Sequence, residues 1–208
     1  MLDLGQTPLL LVGQEVTLAP LSLEHVEPLA RAAGESREQY QFSPVPNGLE
    51  QTRAYVEMAL SQRAQGLRFA FAIQFGSRIV GTTSYSDYQP WAWPPGSALQ
   101  RVDRPDAVEI GHTWLSASAQ RTRCNTEAKL LLLRHAFESW DVHRVALRTD
   151  ERNQRSRAAI ARLGAQLEGI RRADKPGADG SVRSSAFFSI VRAEWPGVRA
   201  HLQGLLSR

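Results

Sequence analysis

"AVEIGHTWLSASAQRTRCNTEAKLLLLRHAFESWDVHRVALRT", residues Ala107 to Thr149, decides the fold. Ala107 to Leu115 reads as a strong strand. "SAQRTRCN" is a polar turn that opens into an amphipathic helix from about Asn125 to Trp140, and "HRVALRT" is the next strand. A strand, a helix and a strand in that order form a βαβ unit, and its right-handed crossover leaves the two strands parallel. The turn lies between the carboxyl end of a strand and the amino end of a helix, where open α/β sheets bind ligands.

Outward from this unit the period changes several times. On the amino side, "EVTLAPL" (Glu15 to Leu21) alternates as a first strand, and Ser22 caps a helix over "LEHVEPLARAA". The Pro/Gly-punctuated loop "REQYQFSPVPNG" carries Tyr40 and Phe42, and a second helix closes at Gly66. "RFAFAIQF", "GSR" and "IVGTTSYSDY" form a hairpin, followed by a loop that holds Trp91 and Trp93. On the carboxyl side come a short helix over "NQRSRAAIARLGA", two strands joined by "ADKPGADG", and a final helix, "GVRAHLQGLL". The order β-α-α-β-β-β-α-β-α-β-β-α predicts a mixed α/β (α+β) sheet with helices on its faces. At 208 residues one domain spanning 1–208 is expected.

Composition narrows the class. Hydrophobic residues make up 42% and charged residues 22%, ordinary for a soluble globular chain. The net charge is +4, and only Lys129 and Lys175 among the basic residues are lysines. Cys124 is the single cysteine, so an intrachain disulfide framework is excluded and a reducing, cytoplasmic setting is expected. Closely spaced Cys and His residues are too few for structural zinc. "MLDLGQTPLLLVGQEVTL" does not read as a signal peptide, and no apolar run is long enough to span a membrane.

Three features bear on chemistry. The turn's free N–H groups and the helix dipole favour anions, with Gln120, Thr122 and Asn125 as added donors and Asn125 or Thr126 as helix cap. Arg123 stands where a phosphate-cradling turn usually wants glycine. "DERNQRSRAAIARLGA" sets Asn153 and Ser156 at a neighbouring helix mouth, where taken alone they read as caps. Glu109 lies in an apolar strand. Simple alternation puts Val108, Ile110 and His112 on one face and Glu109, Gly111 and Thr113 on the other. Glu109 is then either a desolvated general base facing a cleft or a carboxylate paired with an arginine; His112 reads as packing.

The stretches "EIGHTWLSASAQRTRCNTEAKLLLLRHAFE", "RVALRTDERNQRSRAAIARLGAQLEG" and "DGSVRSSAFFSIVRAEWP" resemble the GNAT acyltransferase superfamily, in the branch similar to the RimJ/RimL N-terminal acetyltransferases. "VTLAPLSLEHVEPL" extends the likeness to nearly the whole chain. The resemblance implies a mixed twisted sheet split between its fourth and fifth strands, with acetyl-CoA entering the split. The pyrophosphate would rest on Gln120, Arg121, Thr122, Arg123, Cys124 and Asn125, with Thr126 in the helix start. The pantetheine arm would run along Trp114 and Leu115, with Asn153 touching it from the other side.

The implied reaction is direct attack of a primary amine, on a protein or peptide N-terminus or a small molecule, on the thioester, with no metal. The resemblance makes Glu109, through water, the base. It also implies Ser156 as the acid, since Ser156 matches the serine with that role in the RimL-like branch, while Ile160 occupies the place where many members carry a tyrosine. A backbone N–H near His112 to Trp114 would serve the oxyanion. Phe42, Tyr85, Asp87, Trp91 and Trp93 are the expected acceptor-binding residues. A homodimer is common in the family. Arg123 departs from the pattern, and an arginine at positive φ would be strained. The alternative reading is a non-catalytic scaffold whose damaged turn no longer takes acetyl-CoA and whose basic surface holds RNA or an acidic partner.

Overall fold

Residues 9–101 and 103–207 are described by a computed structural model. The reading of the amino terminus as no signal peptide falls partly on residues 1–8, which lie outside the described residues, as do Val102 and Arg208. Along the chain run β1 (Leu11–Val12), β2 (Val16–Pro20), α1 (Val26–Gly34), α2 (Gly48–Ala64), β3 (Arg68–Phe75), β4 (Arg78–Gln89), β5 (Ala107–Leu115), α3 (Cys124–Arg134), β6 (Arg144–Asp150), α4 (Gln154–Arg162), β7 (Gln166–Pro176), β8 (Val182–Val191) and α5 (Trp195–Leu206). The expected order holds, with the two-residue β1 added, so the fourth and fifth strands of the sequence reading are β5 and β6. None of these helices is long and apolar enough to cross a membrane.

All eight strands lie in one sheet, ordered β1-β2-β3-β4-β5-β6-β8-β7. β5 and β6 are the parallel pair; the other neighbours are antiparallel. Their register covers only Ala107↔Arg144, Val108↔Val145 and Glu109↔Ala146. From Ile110 onward the two strands part, and this gap makes the site.

Helices cover both faces. Leu131, Leu132 and Leu133 of α3 pack with Ile110, Val145 and Ile190 of the sheet and Leu202 of α5. On the opposite face Val26 and Leu29 of α1 and Val56 of α2 pack on Ala70, Ala72 and Trp114. Being covered on both faces explains why "RFAFAIQF" is an almost unbroken apolar run rather than an alternating one: its first six residues are all buried.

A bulge interrupts β5. Thr82 faces Trp114 and Ser84 faces Gly111, so Thr83 alone opposes His112 and Thr113. His112 takes a left-handed backbone, φ 49°. The extra residue shifts the side-chain phase. Thr113 therefore turns to the α3 face, where it meets Lys129. The alternation expected for His112 and Thr113 fails here: His112 is exposed in the cleft rather than packed in the core.

Glu127 of α3 also does structural work that the sequence did not announce. Its buried carboxylate accepts the backbone N–H groups of Gln14 and Glu15, tying the β1–β2 turn to the helix. A Cβ on Gly13 would collide with that carboxylate.

Candidate active site

The parting of β5 and β6 opens a cleft of about 1050 Å³. Its walls are Ile110 to Leu115 of β5, Leu147 to Thr149 of β6, the first turns of α3 and α4, and the segment around Tyr40 and Phe42 with α2. Seven cationic side chains line it: Arg68, Arg148 and Arg183 from strands, Lys129 from α3, Arg155 and Arg162 from α4, and Arg121 from the turn. No aspartate or glutamate does so among the described residues.

The turn before α3 is built differently from expectation. Thr122 caps it: its hydroxyl accepts from the Cys124 N–H (3.2 Å) and donates to the Ala119 carbonyl (2.7 Å). Asn125 and Thr126 instead sit inside the first helical turn. Arg123 is the helix N-cap with ordinary helical dihedrals, φ −70° and ψ −11°, so the expected backbone strain is absent. Its guanidinium pairs with Glu15 (3.2 Å) and does not line the cleft. The left-handed residue is Arg121, φ 60°, exposed at the cleft edge. Cys124 is fully buried in the core and off the lining, and burial pushes its thiol up to about 12. Gln120, Thr122, Asn125 and Thr126 do line the cleft. The picture of a turn broken by Arg123 loses its premise.

Across the gap, Asn153 Oδ1 accepts from the Ser156 N–H (3.0 Å), which makes Asn153 the cap of α4. Both residues line the cleft. Gln120 reaches over from the turn: its Oε1 accepts from Arg155 Nη2, while its Nε2 donates to the Leu115 carbonyl (2.9 Å). The Tyr40 hydroxyl donates to the same carbonyl (2.9 Å) and steadies the end of β5, where Trp114 and Leu115 form the wall.

Glu109 is buried, and its Oε2 accepts from Arg148 Nε at 2.7 Å. Desolvation raises its pKa, with Arg148 opposing. It does not itself line the cleft, although Arg148 does. The reason is register: Glu109 is the last residue of β5 still paired to β6, one short of the split. His112 projects into the cleft with its ring reachable by solvent, and desolvation by the surrounding cleft walls first, then Arg68, Lys175 and Arg148, push its pKa down to about 3. It is therefore neutral near pH 7 and too weak a base for an ammonium.

Sequence reasoning missed Lys129. Its Nζ is buried and, among the described residues, bonded only to the Thr113 (2.6 Å) and Thr83 (3.2 Å) hydroxyls, and desolvation lowers it to about 7. One of two lysines in an arginine-rich chain, placed inside a helix, was the available signal.

The expected acceptor-binding set divides. Phe42 lines the cleft, with the Arg152 guanidinium over its ring at 4.8 Å. Tyr85 is a core residue: it is fully buried opposite Ile110, donates to the Leu132 carbonyl and packs on Trp140. Asp87 is exposed outside the cleft and accepts from Gln89 Nε2 (2.9 Å). Trp91 and Trp93 pack on His143 at 5.3 and 5.6 Å. Both are tied to Asp106, by the Trp91 N–H (2.7 Å) and by Trp93 Nε1 (2.9 Å). Asp106 and His143 precede β5 and β6, so these tryptophans sit at the opposite end of the parallel pair from the cleft.

The chain matches the family described as the acetyltransferase (GNAT) domain over residues 15–166. A protein of Bacillus subtilis (strain 168), provisionally named ribosomal N-acetyltransferase YdaF, is 31% identical over 99 residues, 48% of this chain. That match spans 52% of the relative's own length. A crystal structure from T. thermophilus, provisionally named an acetyltransferase, is 34% identical with a TM-score of 0.78, covering 96% of this chain and 98% of that one. RimL, the ribosomal L7/L12 alpha-N-protein acetyltransferase solved with coenzyme A, shares the fold at 19% identity and a TM-score of 0.70, covering 88% of this chain and 98% of that one.

Proposed function

Because the chain belongs to the GNAT acetyltransferase family, we propose that this acyltransferase carries an acetyl group from acetyl-CoA to a primary amine in the cleft between β5 and β6. The observation that carries the reading is the cleft itself: parallel strands part, and the amino ends of α3 and α4 both open onto the gap.

Acetyl-CoA would supply the activated thioester. The turn's backbone N–H groups other than those of Gln120 and Cys124, which bond within the turn, would hold its diphosphate together with the α3 dipole and Arg121. Trp114 and Leu115 would line its arm on one side and Asn153 on the other. Glu109 would take the proton of the acceptor ammonium through water, its raised pKa lying closer to neutral than an ordinary carboxylate's. Ser156 would return a proton to the departing thiolate. The bulge at His112 turns the backbone out of the regular ladder, and an N–H there would serve the oxyanion.

A thermal shift with acetyl-CoA and with CoA, followed by mass spectrometry of a panel of amines, tests this. Saturating ligand stabilises the fold by mass action, about 2.7 kcal/mol at a hundredfold excess over Kd. A flat melting curve at millimolar acetyl-CoA would sink the proposal.

A further inference from the structure

Arg68 begins β3 inside the molecule: it is 5% exposed and lines the cleft. Its Nε donates to Ser84 Oγ (2.8 Å), its Nη2 to the Tyr55 hydroxyl (2.6 Å) and its Nη1 to Gln62 Oε1 (3.5 Å). Each of these acceptors is neutral, and Arg68 makes no ion pair among the described residues. A buried guanidinium with no counter-charge lowers the stability of the fold that holds it. The same network runs on to the bulge: the Tyr55 hydroxyl bonds Thr82 Oγ1 (2.8 Å), which donates to the His112 carbonyl (3.3 Å).

This network hangs from α2, on the face of the sheet opposite Lys129 and α3, and in the strand register Arg68 lines up through Ser86 with Glu109, well before the end of β5 at Leu115 where the turn begins. Around His112 the field is positive, since Arg68, Lys175 and Arg148 all act on its ring. Glu109, the carboxylate beside them, is already engaged by Arg148. Such a field repels a plain ammonium and attracts a substrate that brings negative charge. It also favours the neutral, nucleophilic form of the amine.

We infer that Arg68 binds the acceptor by an anionic group, a carboxylate or a phosphate, carried next to the reacting amine. The inference rests on the acetyl-transfer reading and adds the class of substrate to it.

The test compares matched acceptors, an amino acid against its amide and phosphoethanolamine against ethanolamine, in the wild type, Arg68→Gln and Arg68→Lys. The wild type should favour the charged member of at least one pair by about tenfold or more in kcat/KM. The pair that shows the preference identifies carboxylate or phosphate as the source. Arg68→Gln should reduce the preference to within about twofold through the acceptor KM, with the KM for acetyl-CoA unchanged. Arg68→Lys should keep part of it.

Equal use of charged and neutral amines by the wild type would overturn the inference while leaving amine acetylation standing. A preference that survives in folded Arg68→Gln would overturn it too. If acetyl-CoA binds and no amine is acetylated, the amine-transfer reading fails and takes this one with it. Should Arg68→Gln not fold, acetate and inorganic phosphate are assayed as inhibitors of the wild type. At least one should compete with the amine and not with acetyl-CoA, and competition by neither would refute the assignment.

Discussion

β5 and β6 treat buried charge in two ways along one strand pair. Where they are joined, Glu109 is matched by Arg148 at 2.7 Å. Where they are parted, Lys129 and Arg68 hold, among the described residues, only neutral groups: hydroxyls, an amide and the Tyr55 ring. A closed sheet must neutralise its charges internally, because nothing else will reach them. An open one can leave cations bare for a ligand to satisfy. The joined half thus carries a paired carboxylate, and the open half carries cations without a counter-charge among the described residues.

The strongest challenge to this contrast is Glu109→Gln. It should lower the rate at neutral pH about 10²- to 10⁴-fold while the affinity for acetyl-CoA, measured by calorimetry, stays the same. In the wild type the rate should fall as pH drops through the raised carboxyl pKa, and that acid limb should vanish in the variant. Unchanged turnover would remove Glu109 as base and leave it a framework residue.

Lys129→Met probes the open half. The folded pKa, about 7, lies below the unfolded value of 10.5. The folded state therefore binds fewer protons between those values, so this residue's contribution to stability rises with pH from about 7 to 10.5. At and below pH 7 the charged amine weighs against the fold, and Lys129→Met should be the more stable protein by about 1–4 kcal/mol. The advantage should shrink as pH climbs toward 10. A difference in melting temperature that does not change with pH would show that Lys129 is not a bare buried charge.

Asn153→Ala should cost about 1 kcal/mol through loss of the α4 cap, read as a lower melting temperature. Asn153→Asp should restore most of it, since a carboxylate also accepts from the Ser156 N–H. The smallest effect is expected from Arg123→Gly. Only an exposed pair with Glu15 is lost, worth about 0–1 kcal/mol, and acetyl-CoA affinity should stay within about twofold. A large loss of affinity would bring the Arg123 guanidinium back into the cofactor site.

Much of the frame was legible in the residues. The βαβ period of Ala107 to Thr149, the hairpin around "GSR" and the Asp-Gly turn at 179–180 are local signals, set by side-chain alternation and turn chemistry. The polar turn and the Asn153 helix mouth were legible for the same reason. What misled were positions whose meaning depends on a neighbour far along the chain. Tyr85, Trp91 and Trp93 are aromatics whose type suits a pocket or a core equally; packing on Trp140 puts Tyr85 in the core, and packing on His143 keeps Trp91 and Trp93 outside the cleft. Arg123 seemed to need a glycine's backbone because the left-handed residue of the turn, Arg121, is two positions earlier.

The amino-acid sequence by itself determined the order of elements, the parallel strand pair and the polar helix start at its carboxyl edge, because these follow from periodicities within a few residues. Only the tertiary structure decided where the pair splits, which way β5 turns its side chains past the bulge, and which buried charges find partners. Those outcomes depend on the register of β4 against β5 and on α2 and α3 closing over opposite faces, and no short stretch of sequence encodes them. Arg68 shows the difference: in the sequence it is the polar first residue of an apolar strand, and in the fold it is a buried cation facing a cleft that no acid lines among the described residues.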